Sequence, residues 1–547
     1  MKETNRVKPV NTDGGSTTLL LGGRIYSVGA PDATAMAVSD GVVVWVGQDS
    51  VGLALYGDAE RVRLDGAFVA PAFVDAHVHA TSAGLALIGL DLAGCGSLRE
   101  CLLRLREHVA AHGDAPVWGH GWDESAWPEQ RPPTRAEIDE VVGGVPVYLS
   151  RVDVHSALVS SALLALAPEA KQEAGFSPDG PLSRQAHHHV RRAIRDSVTV
   201  AQRRSAQEAF LRYAASRGVA SVHECAGPDI SGVEDLAALM ALSGDPGMPE
   251  VVGYWGELAE TAPPLDVRGL AGDLFVDGAL GSRTAAVREP YADAPHTCGA
   301  LYLEPEAIAD HLVTCTRRGV QAGFHVIGDA AVAAVIEGFT LAEAQVGAPA
   351  LATRRHRLEH LEMVDADQAA RLARWGVVAS VQPLFDAAWG GGDGLYAHRL
   401  GPERGTRLNP FAALAAAGVT LAFGSDTPVT PLDPWATVRA AVRHRTEGFG
   451  VSPRAAFTAH TRGGWRAAGV DDGLTGTLVP GAPATYAVWS AGELVVAAPD
   501  ARVQRWSTDP RSRVPALPVL EDDVELPRCL RTVLRGEVLH DTGEVGS

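Results

Sequence analysis

Two histidines one residue apart, His77 and His79, close the apolar run PAFVDAHVH. Residues i and i+2 of a strand project from the same face, so two imidazoles at that spacing can share one metal ion. The pattern alone carries little weight, since a chain with 19 histidines is expected to hold about one such pair by chance. His187 and His189 repeat the spacing inside AHHHVRRAIRDS, which reads as a helix. Side chains two residues apart on a helix diverge by about 200°, so that pair is read as a solvated histidine patch. Three further strand-like runs end on metal-type side chains: VQAGFH on His325, HRLEH on His360 and VTLAFGSD on Asp426. Each alone has a bland reading, a core histidine bonded to backbone or an aspartate capping a turn. Together with His77 and His79 they form a set of five that a barrel would converge on one axis.

The elements needed to converge them are legible. Apolar runs at FVAPAFVDAH, VASVHE (219–224), PEVVGYW (249–255), GDLFVDG (272–278), VQAGFHVIGD (320–329), HRLEH (356–360), VVASVQP (377–383) and VTLAFGSD (419–426) alternate with Ala- and Arg-rich helical stretches. Continuous apolar strands separated by helices imply a parallel sheet covered on both faces, and eight such units imply an α/β fold of the closed (β/α)8 TIM-barrel type. The gap between the first and second strands is far too long for one helix, so residues at about 90–205 form an insertion, rich in helical segments and carrying Trp118, Trp122 and Trp127. Residues 18–70 read as short strands with sharp turns, Asp40-Gly41 among them, and the C-terminal PATYAVWS, GELVVAAP and LRTVLRGEVLHD return to that style. The expected organisation is a discontinuous β-sandwich domain from 1–70 and 472–547, around a barrel at 71–471.

Composition narrows the function. A formal charge of −19 disfavours nucleic acid or an anionic membrane as partner, because either needs a basic face. No apolar stretch follows the charged N-terminus and no run reaches a membrane-spanning length, so the chain is expected to be cytoplasmic. The six cysteines are scattered without a CxxC pair, which favours buried free thiols over disulfides or a thiolate zinc site. The partners expected are a small-molecule substrate and, at most, further copies of the same chain.

Several ordered segments go further: PAFVDAHVHA (71–80), GHGWDESAWPEQRPPTRAEID (119–139), PVYLSRVDVHSALVSSALL (146–164), VDGALGSRTAAVREPYAD (276–293), HVIGDAA (325–331), RLEHLEM (357–363), SVQP (380–383), GSDTPV (424–429) and GTLVPGAPA (476–484). With these the chain resembles the amidohydrolase superfamily, and within it the amidohydrolase-3 family of YtcJ-like proteins. The resemblance implies a zinc-type centre at His77, His79, His325, His360 and Asp426. Similar proteins often carry a metal-bridging lysine on the fourth strand, and here that position is Asp273. Asp273 then either bridges two metals directly or marks a single-metal centre. An aspartate is several atoms shorter than a carbamylated lysine and reaches the same place only if the backbone or the metals shift, so Asp273 is a doubtful ligand and one divalent ion, most simply zinc, is favoured over two. Asp277 lies four residues on, about 13 Å along a strand, and is expected at the barrel mouth near the substrate.

In the one-metal reading His77, His79, His325 and Asp426 are the ligands, Asp426 also moves the water proton, and His360 polarises the substrate carbonyl. In the two-metal reading His325 and His360 hold the second ion. Arg283, His155, Trp122, Gln382 and Asp277 are the expected substrate contacts, with His223 and Glu224 supporting the ligands. The activity implied is hydrolysis of a C–N bond in an amide, N-acyl or N-formyl compound. Deamination or lactone opening uses the same centre, and a barrel that binds metal or ligand without turnover is the alternative of another class.

Overall fold

The computed structural model describes residues 17–496 and 514–546. The first 16 residues of the expected terminal domain, and the end of GELVVAAP, lie outside them. Eight parallel strands form one sheet in sequential order: β1 (Phe73–Val78), β2 (Val219–Ala226), β3 (Glu250–Trp255), β4 (Gly269–Leu270), β5 (Gln321–Val326), β6 (Arg357–His360), β7 (Val378–Val381) and β8 (Thr420–Phe423). The chain past β8 returns to β1 through a parallel bridge between Val78 and Thr427. The Asp426 N–H donates to the His77 carbonyl at 2.8 Å, and the Asp75 carboxylate accepts the Ser425 N–H at 2.9 Å. Gly424 is required at this seam, since a Cβ there would lie 2.5 Å from the His77 nitrogen. This is the (β/α)8 barrel expected.

The helices cover it for the usual reason. Pro305–Arg318 begins with proline in its first turn, ends on Gly319 in the left-handed region, and buries Ile308, Ala309, Leu312, Val313, Cys315 and Thr316 on one face. Among the described residues no single helix is long and apolar enough to cross a membrane. Of the six free cysteines five are buried, and Cys298 is exposed.

Two of the expected strands differ. The run FVAPAFVDAH serves two sheets: Phe68–Pro71 pairs antiparallel with Tyr486–Ser490, and the chain enters the barrel only at Phe73. The fourth strand is shorter and earlier than GDLFVDG. It ends at Leu270, Gly272 takes a left-handed φ of 80°, and the segment beyond touches β5 through a single bridge from Phe275 to His325.

Both chain ends meet in one five-stranded sheet, ordered Arg24–Ile25, Phe68–Pro71, Tyr486–Ser490, Arg528–Leu534 and Glu537–Asp541. It packs on a four-stranded sheet of N-terminal residues through Leu20, Met36, Val43, Leu478, Tyr486 and Val533. Asp40 and Gly41, at φ 49° and 74°, make the hairpin turn between Ala35–Ser39 and Val42–Gly47. The insertion carries more than helices. Leu90–Asp91, Val117–Trp122, Val147–Arg151, Ser156–Val159 and Leu182–Ser183 form a five-stranded sheet with its own core around Leu105, Trp127 and Ile138.

Candidate metal centre

β1 projects His77 to the barrel axis, and His79 follows at the strand's end. Their Nε2 atoms face two carboxylates: His77 Nε2 lies 3.4 Å from both Asp273 Oδ1 and Asp426 Oδ1, and His79 Nε2 lies 3.2 Å from Asp273 Oδ2 and 3.1 Å from Asp426 Oδ1. His77 Nε2, Asp273 Oδ1 and Asp426 Oδ1 are buried without hydrogen-bond partners. Donor atoms of His77, His79 and Asp273 fall within 4.8 Å of one another, as do those of His77, His360 and Asp426. Zinc–nitrogen and zinc–oxygen bonds of about 2.0–2.1 Å put tetrahedral ligands about 3.3 Å apart, which is the spacing of this set. The orphaned atoms of His77, Asp273 and Asp426, with His79 Nε2 beside them, therefore fit a divalent cation.

The electrostatics agree. Burial disfavours a charged imidazole, yet the Asp273 and Asp426 carboxylates raise His79 to about 9. Burial likewise opposes ionisation of Asp273, and His77 and His79 nonetheless hold it well below the ordinary carboxylate range. A site that draws a proton this strongly draws a metal ion by the same field.

Residues behind the donors fix their orientation. His77 Nδ1 lies 2.9 Å from Glu359 Oε2, so the proton sits on Nδ1 and Nε2 keeps its lone pair. Glu359 is in turn paired with Arg357, its neighbour on the same face of β6. Burial works against the Glu359 charge, but Arg357 and His77 hold the carboxyl down at about 2. Arg357, fully buried, also reaches Ser380 Oγ at 3.0 Å, the Ala76 carbonyl and His223 Nδ1 at 2.9 Å, and lies 4.4 Å over the Tyr254 ring. Cys225 also comes within range of His77 and Glu359, but burial pushes its thiol up to about 12 and Glu359 is taken by Arg357.

Strand alternation would send His360 away from the axis. Its left-handed φ of 69° breaks the alternation, bringing the ring to 5.1 Å from that of His77 and 4.4 Å from that of His325. Asp426 has a φ of 55°. Left-handed backbone is uncommon outside glycine and is held here by the closed seam. His360 Nδ1 donates to Gln382 Oε1 at 2.8 Å, leaving Nε2 free. His325 belongs to neither donor group. Its Nδ1 lies 3.8 Å from Asp277, and burial keeps the ring neutral.

Of the sequence-derived ligands, His77, His79, His360 and Asp426 thus come together, and His325 sits at the edge. Asp273 is among the nearest donors, contrary to the argument from its length, because the chain leaves β4 early and carries the Asp273 backbone inward. The expected substrate contacts divide. His155 lies 5.2 Å from the His325 ring and faces open space. Asp277 is a correction: it is fully buried and accepts the N–H groups of Ala286, Ile327 and Gly328 at 2.8–3.0 Å, so it braces loops. Trp122 is a second, buried with its Nε1 donating to the Leu149 carbonyl at 2.8 Å. Arg283 is held by Asp293 at 2.6 and 3.0 Å, and Gln382 contacts His360 as above. Glu224 accepts the Ala80 N–H at 2.7 Å. The supposed solvated patch is also corrected: the helix is present, Arg184–Ser197, but His187 is buried with Nε2 2.8 Å from the Tyr148 hydroxyl.

Comparison with known proteins gives a consistent result. A model of the amidohydrolase family matches residues 61–540. The putative amidohydrolase YtcJ of Bacillus subtilis is 28% identical over 459 residues, 78% of this chain and 83% of that protein. The N-substituted formamide deformylase of Arthrobacter pascens is 25% identical over 479 residues, 81% of this chain and 86% of that protein. The crystal structure of a metal-dependent hydrolase from Pyrococcus furiosus is 29% identical with a TM-score of 0.67, covering 86% of this chain and 98% of that one.

Proposed function

The chain belongs to the amidohydrolase family, and on that footing we propose that it hydrolyses a C–N bond of a small molecule, in an amide, N-acyl or N-formyl compound. The observation that carries this is the convergence of His77, His79, Asp273 and Asp426 at 3.1–3.4 Å, with His77 Nε2 and one oxygen of each carboxylate left without a partner. One zinc-type divalent ion, held by these four side chains, would supply Lewis acidity that polarises a carbonyl and brings the pKa of water to about 7. A single ion is favoured because the four donors share one locus while His325 stands outside it. Asp426 takes the proton of the attacking water and returns it to the leaving nitrogen. His360, oriented by the hydrogen bond from its Nδ1 to Gln382, stands beside the cluster and positions the substrate carbonyl for attack. Glu359 holds His77 in the ligating tautomer. The relative from Arthrobacter pascens, named for deformylation of an N-substituted formamide, supports a C–N bond over a lactone.

Metal quantification on freshly purified protein, followed by a panel of N-formyl, N-acyl and cyclic amides, lactones and aminopyrimidines with the metal found, tests the proposal. About one equivalent of divalent metal and turnover of an amide arm are expected. Turnover confined to lactones or aminopyrimidines would replace the bond class. Wild-type protein that holds metal and turns over nothing in the panel, while Asp426→Asn binds ligand normally, would leave a binding protein.

A further inference from the structure

Two cavities open from the donor cluster and meet at His155, whose ring lines both. The larger, about 710 Å³, starts at His79 and Asp273 and runs beneath the insertion past Tyr148, Arg184, His188 and Arg191. The smaller, about 390 Å³, starts at His325, His360 and Asp426 and is walled by Leu280, Ile327, Phe385, Trp389, Tyr396 and Val429.

Their charges differ. In the first cavity Arg191 gives its donors to the Tyr148 hydroxyl and the Asp229 and Val154 carbonyls. Arg184 makes no hydrogen bond, and neither guanidinium has a carboxylate partner among the described residues. Among the described residues Asp273, which belongs to the metal centre, is the only carboxylate lining that space. His188 Nδ1, buried without a partner, belongs to a ring that lines the same wall. In the second cavity Arg151 is held by Asp123, Glu124 and Asp153, so no cation is left unpaired there, and the buried carboxyl of Glu362, its Oε2 without a partner, makes the space unfavourable to an anion. Its remaining walls are largely apolar, with ring centroids 4.9 Å apart for Phe385 and Trp389 and 6.2 Å for Trp389 and Tyr396.

We infer that the substrate is an amide with an anionic arm, a carboxylate in the simplest case, bound by Arg184 in the cavity beneath the insertion, and an aromatic arm packed against the wall of Phe385, Trp389 and Tyr396. An unpaired guanidinium in a partly dry cavity gains a charge-assisted, two-pronged contact from a carboxylate that an uncharged arm cannot give. The aromatic walls reward a flat apolar group in the same way that they pack on one another. The placement of the scissile bond at the cluster rests on the hydrolase reading above, and the selection of the two arms does not.

The test uses metal-loaded full-length protein and a non-hydrolysable pair, 5-anilinopentanoate and N-pentylaniline, which differ only in the carboxylate. Calorimetric binding is expected to favour the carboxylate at least tenfold. Arg184→Ala should bring the two within twofold of each other and Arg184→Lys should keep part of the gap, with unfolding midpoints that match wild type because Arg184 is partly exposed. Trp389→Ala should weaken both ligands. Equal binding of the pair by wild type, or a gap that survives Arg184→Ala, overturns the inference. Hydrolysis of 5-anilino-5-oxopentanoate is measured in parallel: a preserved binding gap without turnover supports the two-armed site and counts against the hydrolase reading alone.

Discussion

Glu359→Gln separates the orientation of His77 from its presence. The substitution keeps the side chain's length and removes its charge, and two losses follow. A carboxylate only accepts, so it forces the proton onto His77 Nδ1 across 2.9 Å. A glutamine amide can instead donate to Nδ1, which moves the proton to Nε2 and removes the lone pair that faces Asp273 and Asp426. Losing a partner of this kind costs about 10–100-fold in metal affinity, or about 1.4–2.7 kcal/mol. The second loss falls on Arg357, left buried without its counter-charge. Breaking one partner of a buried pair costs about 3–5 kcal/mol, and the lower end is expected because Ser380, the Ala76 carbonyl, His223 and the Tyr254 face remain in place. Competition with a chelating dye gives the metal affinity, and urea unfolding of the metal-free protein gives the stability. Adding Arg357→Met should restore most of the stability, since no bare charge is left, and none of the metal affinity. Wild-type affinity in Glu359→Gln would refute the orienting role, and a double variant that regains both quantities would show that the first loss was only a loosened fold.

Asp273→Asn is expected to weaken metal binding at least about 100-fold by dye competition, beyond the range of an outer partner, because it removes one of the charges facing both His77 and His79. Asp277→Asn should leave metal affinity within about threefold and lower stability by about 1–3 kcal/mol, the cost of one buried N–H facing an amide NH2, and a reversed ranking of the two variants would mean that the carboxylates are misassigned. Trp122→Phe should keep kcat/KM within about twofold and cost about 1–3 kcal/mol of stability from the lost bond to Leu149 and the smaller ring; a KM change in place of a stability change would return Trp122 to the substrate. Burial lowers His460 from 6.5 to about 4, so the folded state binds fewer protons than the unfolded state between those values. Its stabilising share is therefore complete above about pH 6.5 and is lost as the pH falls toward 4, on the order of 3 kcal/mol at full effect. His460→Asn, which can still donate to the Val74 carbonyl without titrating, should flatten the fall of the urea midpoint between pH 7 and pH 4.5, and an unchanged slope would refute the assignment.

The barrel was legible because its strands are apolar on both faces and end on polar chemistry, a pattern that helices and surface strands do not produce. What the pattern hides is how long each strand continues as one. In FVAPAFVDAH the apolar run continues unbroken from Phe68 to Val74, and Pro71 alone marks the point where the chain leaves the terminal sheet for the barrel. The insertion's strands were missed for the opposite reason: VWGHGW breaks its apolar run with glycine and histidine. The divergence of residues two apart does not report on the burial of His187. Val190 and Ile194, three and seven residues on, lie on the same buried face and were the signal that His187 is inside.

Residue type and strand position found the donors, but not the groups that orient them. Glu359 touches His77 across 282 residues of chain, and its meaning depends on a neighbour across the barrel that no local spacing reveals. The segment around Asp273 shows the same limit at work on chain path. The argument that an aspartate is too short to do the work of a carbamylated lysine holds for a fixed backbone. Here the backbone is not fixed: β4 stops at Leu270, Gly272 turns at a φ of 80°, and Gly256 admits the Asp273 main chain to a distance that a Cβ would close to 2.7 Å. Reach lost from the side chain is thereby recovered from the chain path. An alanine at Gly256, outside the donor set, should consequently push Asp273 off the centre and lower metal affinity while leaving His77 and His79 in place; a Gly256→Ala protein with wild-type affinity would show that the close approach does not govern the position of Asp273.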